Sequence, residues 1–222
     1  MAQDYLVPLG NFAGLTAEEA GLARARVVLV PIPYDATATF RAGAREGPAA
    51  IIAASNELEL YDLELDWEPS QAGIHTLPLV EPLLGDPRAM LDRVAGLVRE
   101  LLGLGKLVGL LGGEHTLTLG AVQAYASAYS DLSVLYLDAH ADLRDHYLGT
   151  RYSHASVLRR ILEVCPATLV GVRSISLEEK PVLETPGLTA VVSRQLELGS
   201  ALERVLASLS PNVYVSLDLD IL

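Results

Sequence analysis

The residues with the richest chemistry stand between Leu135 and Ser156, in the stretch LYLDAHADLRDHYLGTRYSHAS. An apolar run, Ser133 to Leu137, carries the chain into Asp138-Ala139-His140-Ala141-Asp142. In an extended backbone, side chains two apart leave on the same face. Asp138, His140 and Asp142 can therefore converge while Ala139 and Ala141 stay small behind them. Carboxylate and imidazole at this spacing suit a divalent metal that accepts both oxygen and nitrogen ligands. One Asp after a buried strand would read as an ordinary acidic loop; three ionisable groups alternating with Ala read as metal ligands.

Two other apolar runs end in the same kind of residue. LVGLLGG at 107–113 leads to His115, and VYVSL at 213–217 leads to Asp218 and Asp220. A Gly-Gly turn with a His at a helix entry is common, so His115 alone says little. Alternating Asp at the end of a buried strand says more. Together the three sites hold two His and four Asp, enough for two divalent ions with shared carboxylates and a balanced charge. A water between two such ions is strongly acidified, giving hydroxide near neutral pH. Oxygen-rich ligation without cysteine favours Mn²⁺ over a structural Zn²⁺.

The elements that must position these residues alternate along the chain. Arg26 to Ile32 is a short β-branched run closed by prolines, a buried strand. A Gly-rich turn over 40–47 follows, and Pro48 opens a helix over Ala49 to Asn56. The segment 57–82 is irregular; His75 within it reads as an ordinary surface or half-buried histidine. Pro87 to Leu102 is helical, with Leu91, Val94, Leu97, Val98 and Leu101 on one stripe. Leu104 to Leu111 is the next strand and Leu117 to Tyr129 the next helix. Ser153 is expected to cap a helix from His154 to Val164. Strands over 168–172 and 188–192 flank a weak helix at 178–183. A helix over Leu198 to Leu209, with Leu202, Val205, Leu206 and Leu209 inward, precedes the last strand. Such alternation predicts a mainly parallel sheet between two helical layers, an α/β/α fold. Ligands in such folds bind at the carboxyl edge of the strands.

Composition narrows the function further. At 222 residues and 50% apolar, the chain fits a single domain with a sizeable core. A net charge of −12 argues against a nucleic-acid partner and favours a cationic ligand. Cys165 is the lone cysteine, which excludes an intrachain disulfide and points to a reducing compartment. The amino terminus lacks the pattern of a signal peptide, and the most apolar region, 97–112, is broken by Arg99, Glu100 and Lys106. The expectation is a soluble cytoplasmic protein with no membrane partner. A nucleotide-binding fold is disfavoured, because no G-x-G-x-x-G follows the first strand.

In combination GGEHTLTLG (112–120), LDAHADLRD (137–145), YSHAS (152–156) and VSLDLD (215–220) resemble the ureohydrolases, the arginase and agmatinase family of binuclear manganese hydrolases. VPIPYDATATFRAGAREGPAAI at 30–51 is similar to the family's first strand and Gly-rich turn. The resemblance implies one manganese on His115, Asp138, Asp142 and Asp218, and a second on Asp138, His140, Asp218 and Asp220. It implies that Asp142 also orients the attacking water and that His154, at a helix start, shuttles a proton toward the leaving amine. The loop 144–152 looks agmatinase-like, lacking the Ser- and Asn-rich stretch with which arginases grip arginine. The expected reaction splits a small cationic guanidino compound, agmatine first, into urea and an amine such as putrescine. Guanidinobutyrate, arginine or formiminoglutamate are alternatives, as is a catalytically silent metal-binding paralogue or fragment.

Two departures stand out. Glu114 occupies a position where the family usually has Asp, a change expected to be tolerated beside the ligands. Family members also continue past the position of Leu222 with a Pro-containing loop, a further strand and helix, and an acid that pairs with the guanidinium. The expectation is one arginase-like domain lacking its C-terminal part, weak in metal binding by itself and a homo-oligomer at full length.

Overall fold

The computed structural model describes residues 6–7, 10–197 and 201–222. The chain runs through β1 (Leu6–Val7), β2 (Val27–Ile32), α1 (Gly47–Ala54), β3 (Ile74–Thr76), β4 (Leu79–Val80), α2 (Pro87–Gly103) and β5 (Leu107–Gly112). It continues with α3 (Leu117–Ala128), β6 (Leu132–Leu137), α4 (Val157–Ile161), β7 (Ala167–Val172), β8 (Leu188–Val192), α5 (Ser193–Glu197), α6 (Ala201–Ser208) and β9 (Asn212–Leu217). The described residues fall into two compact units. One holds those up to Met90 and Gly96–Glu114, the other Leu91–Ala95 and those from His115 onward. No helix among the described residues is long and apolar enough to cross a membrane.

In the first unit, β2 lies between β3 and β5, parallel to both, and β1 pairs antiparallel with β4. Val28, Val30 and Ile32 of β2 are fully buried, as a strand paired on both sides should be. β3 is missing from the sequence reading. Three residues between Gly73 and Pro78 are too few to show a period, and only pairing with β2 makes them a strand. His75 is half-buried there, with Nδ1 2.7 Å from the Ala20 carbonyl oxygen, in keeping with its plain reading. At the end of β5, a β-carbon on Gly113 would strike the Tyr34 carbonyl, so only glycine fits. Glu114 is buried beyond it and accepts from the Thr37 amide (2.7 Å) and hydroxyl (2.6 Å).

The Gly-rich turn is held by Asp35. Its buried carboxylate accepts from the Gly43 amide (2.7 Å), the Arg45 amide (3.2 Å) and Arg45 Nε (2.6 Å). Burial raises the Asp35 pKa, but Arg45 and the two amides outweigh it and hold the group below the ordinary carboxylate range. A pKa lower in the folded than in the unfolded chain means stabilisation that is present above about pH 4 and lost as pH falls through the folded value. Asp35→Asn is therefore expected to cost about 1–3 kcal/mol at pH 7 and less at acid pH. Urea unfolding at pH 7 and pH 3 measures this, and an equal loss at both would remove the charge argument.

In the second unit the strand order is β8-β7-β6-β9, all parallel. β7 is buried at every position, and Tyr136, Leu143, Leu158, Ile161 and Leu169 fill the core around it. Each such large side chain contributes about 1.5–3 kcal/mol. α3 approaches Leu91 so closely that a β-carbon on Gly120 would lie 2.7 Å from the Leu91 carbonyl oxygen.

The parallel α/β architecture matches the expectation, divided between a three-stranded and a four-stranded sheet. Several local expectations change. Ser153 caps no backbone amide; its hydroxyl donates to Ser156 Oγ at 3.2 Å, and His154–Ser156 is a 3₁₀ turn before the short α4. The helix read over 198–209 covers α6; Leu198 lies outside the described residues. Val205 is buried and Leu209 packs beside it, but Leu202 and Leu206 are exposed. α6 meets β7 and β8 through the smaller Ala201 and Val205, which turns the neighbouring Leu stripe outward.

Candidate metal centre

Leu137 and Leu217 are register partners, so parallel β6 and β9 end together and Asp138 and Asp218 emerge side by side. The Asp218 amide donates to the Leu137 carbonyl (2.9 Å) and the Asp138 amide to that of Val170 (3.1 Å), pinning both turns to the sheet. Beyond Leu137 the backbone leaves the strand. Ala139 is in a bend, His140 makes only an isolated bridge with Ser174, and Asp142 adopts a left-handed φ of 52°. The Asp138–Asp142 side chains therefore owe their placement to this bend rather than to strand alternation. Ala139 and Ala141 are buried behind it, as read from the sequence.

Two groups of donor atoms result, each close enough to grip one ion: His115, Asp138 and Asp218, and Asp138, His140 and Asp220. Asp138 belongs to both. His115 Nδ1 lies 2.9 Å from Asp138 Oδ2, 3.4 Å from Asp218 Oδ2 and 3.7 Å from Asp142 Oδ2. His140 Nδ1 lies 2.9 Å from Asp220 Oδ2 and 3.7 Å from Asp138 Oδ1. Asp142 thus meets the first group through His115 without being one of its three members. His154 has other surroundings: it is half-buried, with its ring edge-on to Tyr147 at 5.5 Å.

Sequence reasoning missed two hydroxyl groups that set this geometry. Tyr136 is fully buried, stacks on the His115 ring at 4.3 Å and donates through Oη to Asp142 Oδ2 at 2.7 Å. Ser216 Oγ lies 2.7 Å from His115 Nε2 and 2.9 Å from Thr118 Oγ1. With Nε2 engaged there, Nδ1 is left facing the carboxylates. Tyr136 stands two residues before Asp138, and Ser216 two before Asp218. The period-two rule that picked out the acids would have found them. Glu179 is a third support, buried and accepting from the Leu143 amide (2.9 Å), the Ser176 amide (2.7 Å) and the Ser176 hydroxyl (2.8 Å).

Crowded carboxylates dominate the electrostatics. Burial alone would lower the His115 pKa, but hydrogen bonds to Asp138 and Asp218 and the Asp142 charge raise it to about 10. Burial pushes Asp142 up to about 8, with His115 opposing and Asp138 adding to the rise. Asp218 is lowered by its hydrogen bond with His115, and Asp220 is raised by burial. Burial and Asp142 keep Tyr136 well above 10, so it remains a phenol that donates. Asp138 Oδ2 is buried and faces His115 Nδ1 inside the cluster. Four carboxylates and two imidazoles, hard oxygen with borderline nitrogen, fit divalent ions of the manganese type.

The comparisons agree with this chemistry. Residues 25–222 match the arginase family. An N(1)-aminopropylagmatine ureohydrolase of Thermus thermophilus is 40% identical over 204 residues, covering 89% of this chain and 68% of its own. An agmatinase of Bacillus anthracis is 34% identical, covering 88% and 68%. Among solved structures, the agmatine ureohydrolase of Thermoplasma volcanium superposes with a TM-score of 0.78 at 31% identity, covering 89% of this chain and 68% of that one. A family match over most of the chain, relatives above 30% identity and a shared fold agree with the paired imidazole–carboxylate groups, and the chain belongs to the arginase family of metal-dependent hydrolases.

Proposed function

We propose that this protein is a binuclear manganese ureohydrolase that cleaves the guanidino group of agmatine, or of an agmatine-type amine, to urea and the free amine. The observation that carries the reading is the sharing of Asp138 between two donor groups in one cluster. One ion would be held by His115, Asp138, Asp142 and Asp218, the other by Asp138, His140, Asp218 and Asp220. Two divalent ions there would supply Lewis-acid charge and acidify a bound water. Ser216 holds His115 by Nε2, and Tyr136 fixes the Asp142 carboxylate that would orient the attacking water. His154 would carry the proton to the departing amine. The clustered carboxylates and the net charge of −12 favour a cationic substrate.

The loop 144–152 supports an amine rather than an amino acid at the far end of the substrate. Its two arginines are engaged, Arg144 with Glu178 at 2.7 Å and Arg151 with Glu163 at 2.9 Å. Agmatine should therefore be preferred to arginine, with kcat/KM at least tenfold higher. Urea release with both substrates decides this, and equal values would sink it. A second reading is favoured by the 40% identical relative named for N(1)-aminopropylagmatine. The same assay with that substrate and guanidinobutyrate, together with formamide release from formiminoglutamate, separates the readings, and a protein yielding neither product from any of them would be a silent paralogue or fragment.

A further inference from the structure

We infer that the end of β7, Val170 to Arg173, is a positioning element for the Asp218–Asp220 segment, with Gly171 and Arg173 as its working residues. The inference rests on the two-ion reading above. The pairing of β7 with β8 slips between Val170 and Val172, leaving Gly171 as a bulge at φ 92°. Bulges re-aim a strand end, often beside a functional site. Here the bulge makes room. A β-carbon at Gly171 would collide with Ile221 Cδ1 and lie 3.4 Å from the Asp138 carbonyl oxygen. The space that another residue would fill is taken by the side chain that follows Asp220.

Arg173 then ties the two ligand-bearing segments together. Its backbone amide donates to the Ala139 carbonyl at 2.9 Å. Its guanidinium donates to the Asp220 carbonyl and, at 3.4 Å, to the Ile221 carbonyl. The Ala139 amide donates in turn to Asp220 Oδ1 at 3.1 Å, leaving Oδ2 turned to His140. Thus one residue grips both the Asp138–Asp142 segment and the Asp218–Asp220 segment without offering a ligand atom. A guanidinium suits this task, because its fork reaches two carbonyls at once where an ammonium is a single point of charge. Asp220 belongs to only one of the two donor groups, so loss of Arg173 acts on one ion and spares the other.

The test uses the whole chain, stripped with chelator and titrated with Mn²⁺ by calorimetry, with melting of the metal-free protein as the control. Arg173 is solvent-exposed, so its replacement leaves the core intact. Arg173→Ala is expected to weaken one of two Mn²⁺ sites about 10–100-fold while the other site and the metal-free melting temperature stay near wild type. Arg173→Lys should fall between, and Gly171→Ala should reproduce the loss. Should Gly171→Ala fail to fold, Arg173→Ala decides alone. Unchanged affinity at both sites in Arg173→Ala overturns the inference. So does equal weakening of both with a lower metal-free melting temperature, which would make Arg173 a stabilising residue only. Fewer than two Mn²⁺ sites in the wild type overturns the two-ion reading, and this inference with it.

Discussion

Asp138→Ala is expected to lose both manganese ions and, with them, all but a trace of urea formation. Asp138 is the residue common to both donor groups, and it is almost wholly buried at the end of β6. Removing a carboxylate that serves one ion should leave the other in place; removing one that serves both, as Asp138 and Asp218 are proposed to do, leaves neither with a full set. The lost Lewis-acid charge is worth several kcal/mol of transition-state stabilisation, so the rate should fall on the order of 10³-fold or more. The carboxylate also organises its neighbours, accepting the His140 amide on Oδ1 at 2.7 Å and facing His115 with Oδ2. Asp220→Ala is the matched comparison, expected to retain one ion. Elemental analysis of both variants after manganese loading checks the pair. Two ions retained in Asp138→Ala would remove the shared-ligand assignment.

His154→Asn should separate proton transfer from metal binding. Asparagine keeps polar atoms of similar reach but cannot take up and release a proton near neutral pH. His154 lies outside both donor groups, in the 3₁₀ turn after the loop 144–152, with its ring edge-on to Tyr147. The expected result is full manganese content and a kcat lowered about 10²–10⁴-fold, the usual range for a lost general acid. Loss of metal would make His154 a ligand instead. An unchanged rate would leave it a packing residue beside Tyr147.

Much of the fold was legible because its signals are local. The strands β2, β6, β7 and β9 are short apolar runs, each bounded by polar or turn residues, although Val213, Val215 and Leu217 of the edge strand β9 are exposed rather than buried. α2 carries a regular apolar stripe, a Pro in its first turn and a cap at Asp86, whose side chain accepts from the Ala89 amide at 3.0 Å. Alternation of such elements implies parallel strands, which is what forms. Signals that need a partner were not legible. β3 exists because β2 offers it an edge, and the inward face of α6 is chosen by the sheet it meets.

The candidate site divides along the same line. The types and spacing of His115, Asp138, His140, Asp142, Asp218 and Asp220 were read from the sequence, since each follows an apolar strand and strand ends in such folds share one edge. That reading named the residues proposed to carry the chemistry and the class of ion expected to suit them. Tertiary structure alone decided how they meet. The in-register ends of β6 and β9 place Asp138 beside Asp218, and the bend at Ala139 with the left-handed Asp142 turns the motif inward. The Ser216 hydroxyl and the stacked Tyr136 ring orient His115, the Tyr136 hydroxyl holds Asp142, and Gly171 and Arg173 seat the Asp220 segment. These supporting residues lie about 20 to 100 positions from the groups they hold, except Tyr136 beside Asp142. A sequence records residue types and local periods, whereas register, bulges and hydrogen-bond partners arise only when distant strands are brought edge to edge.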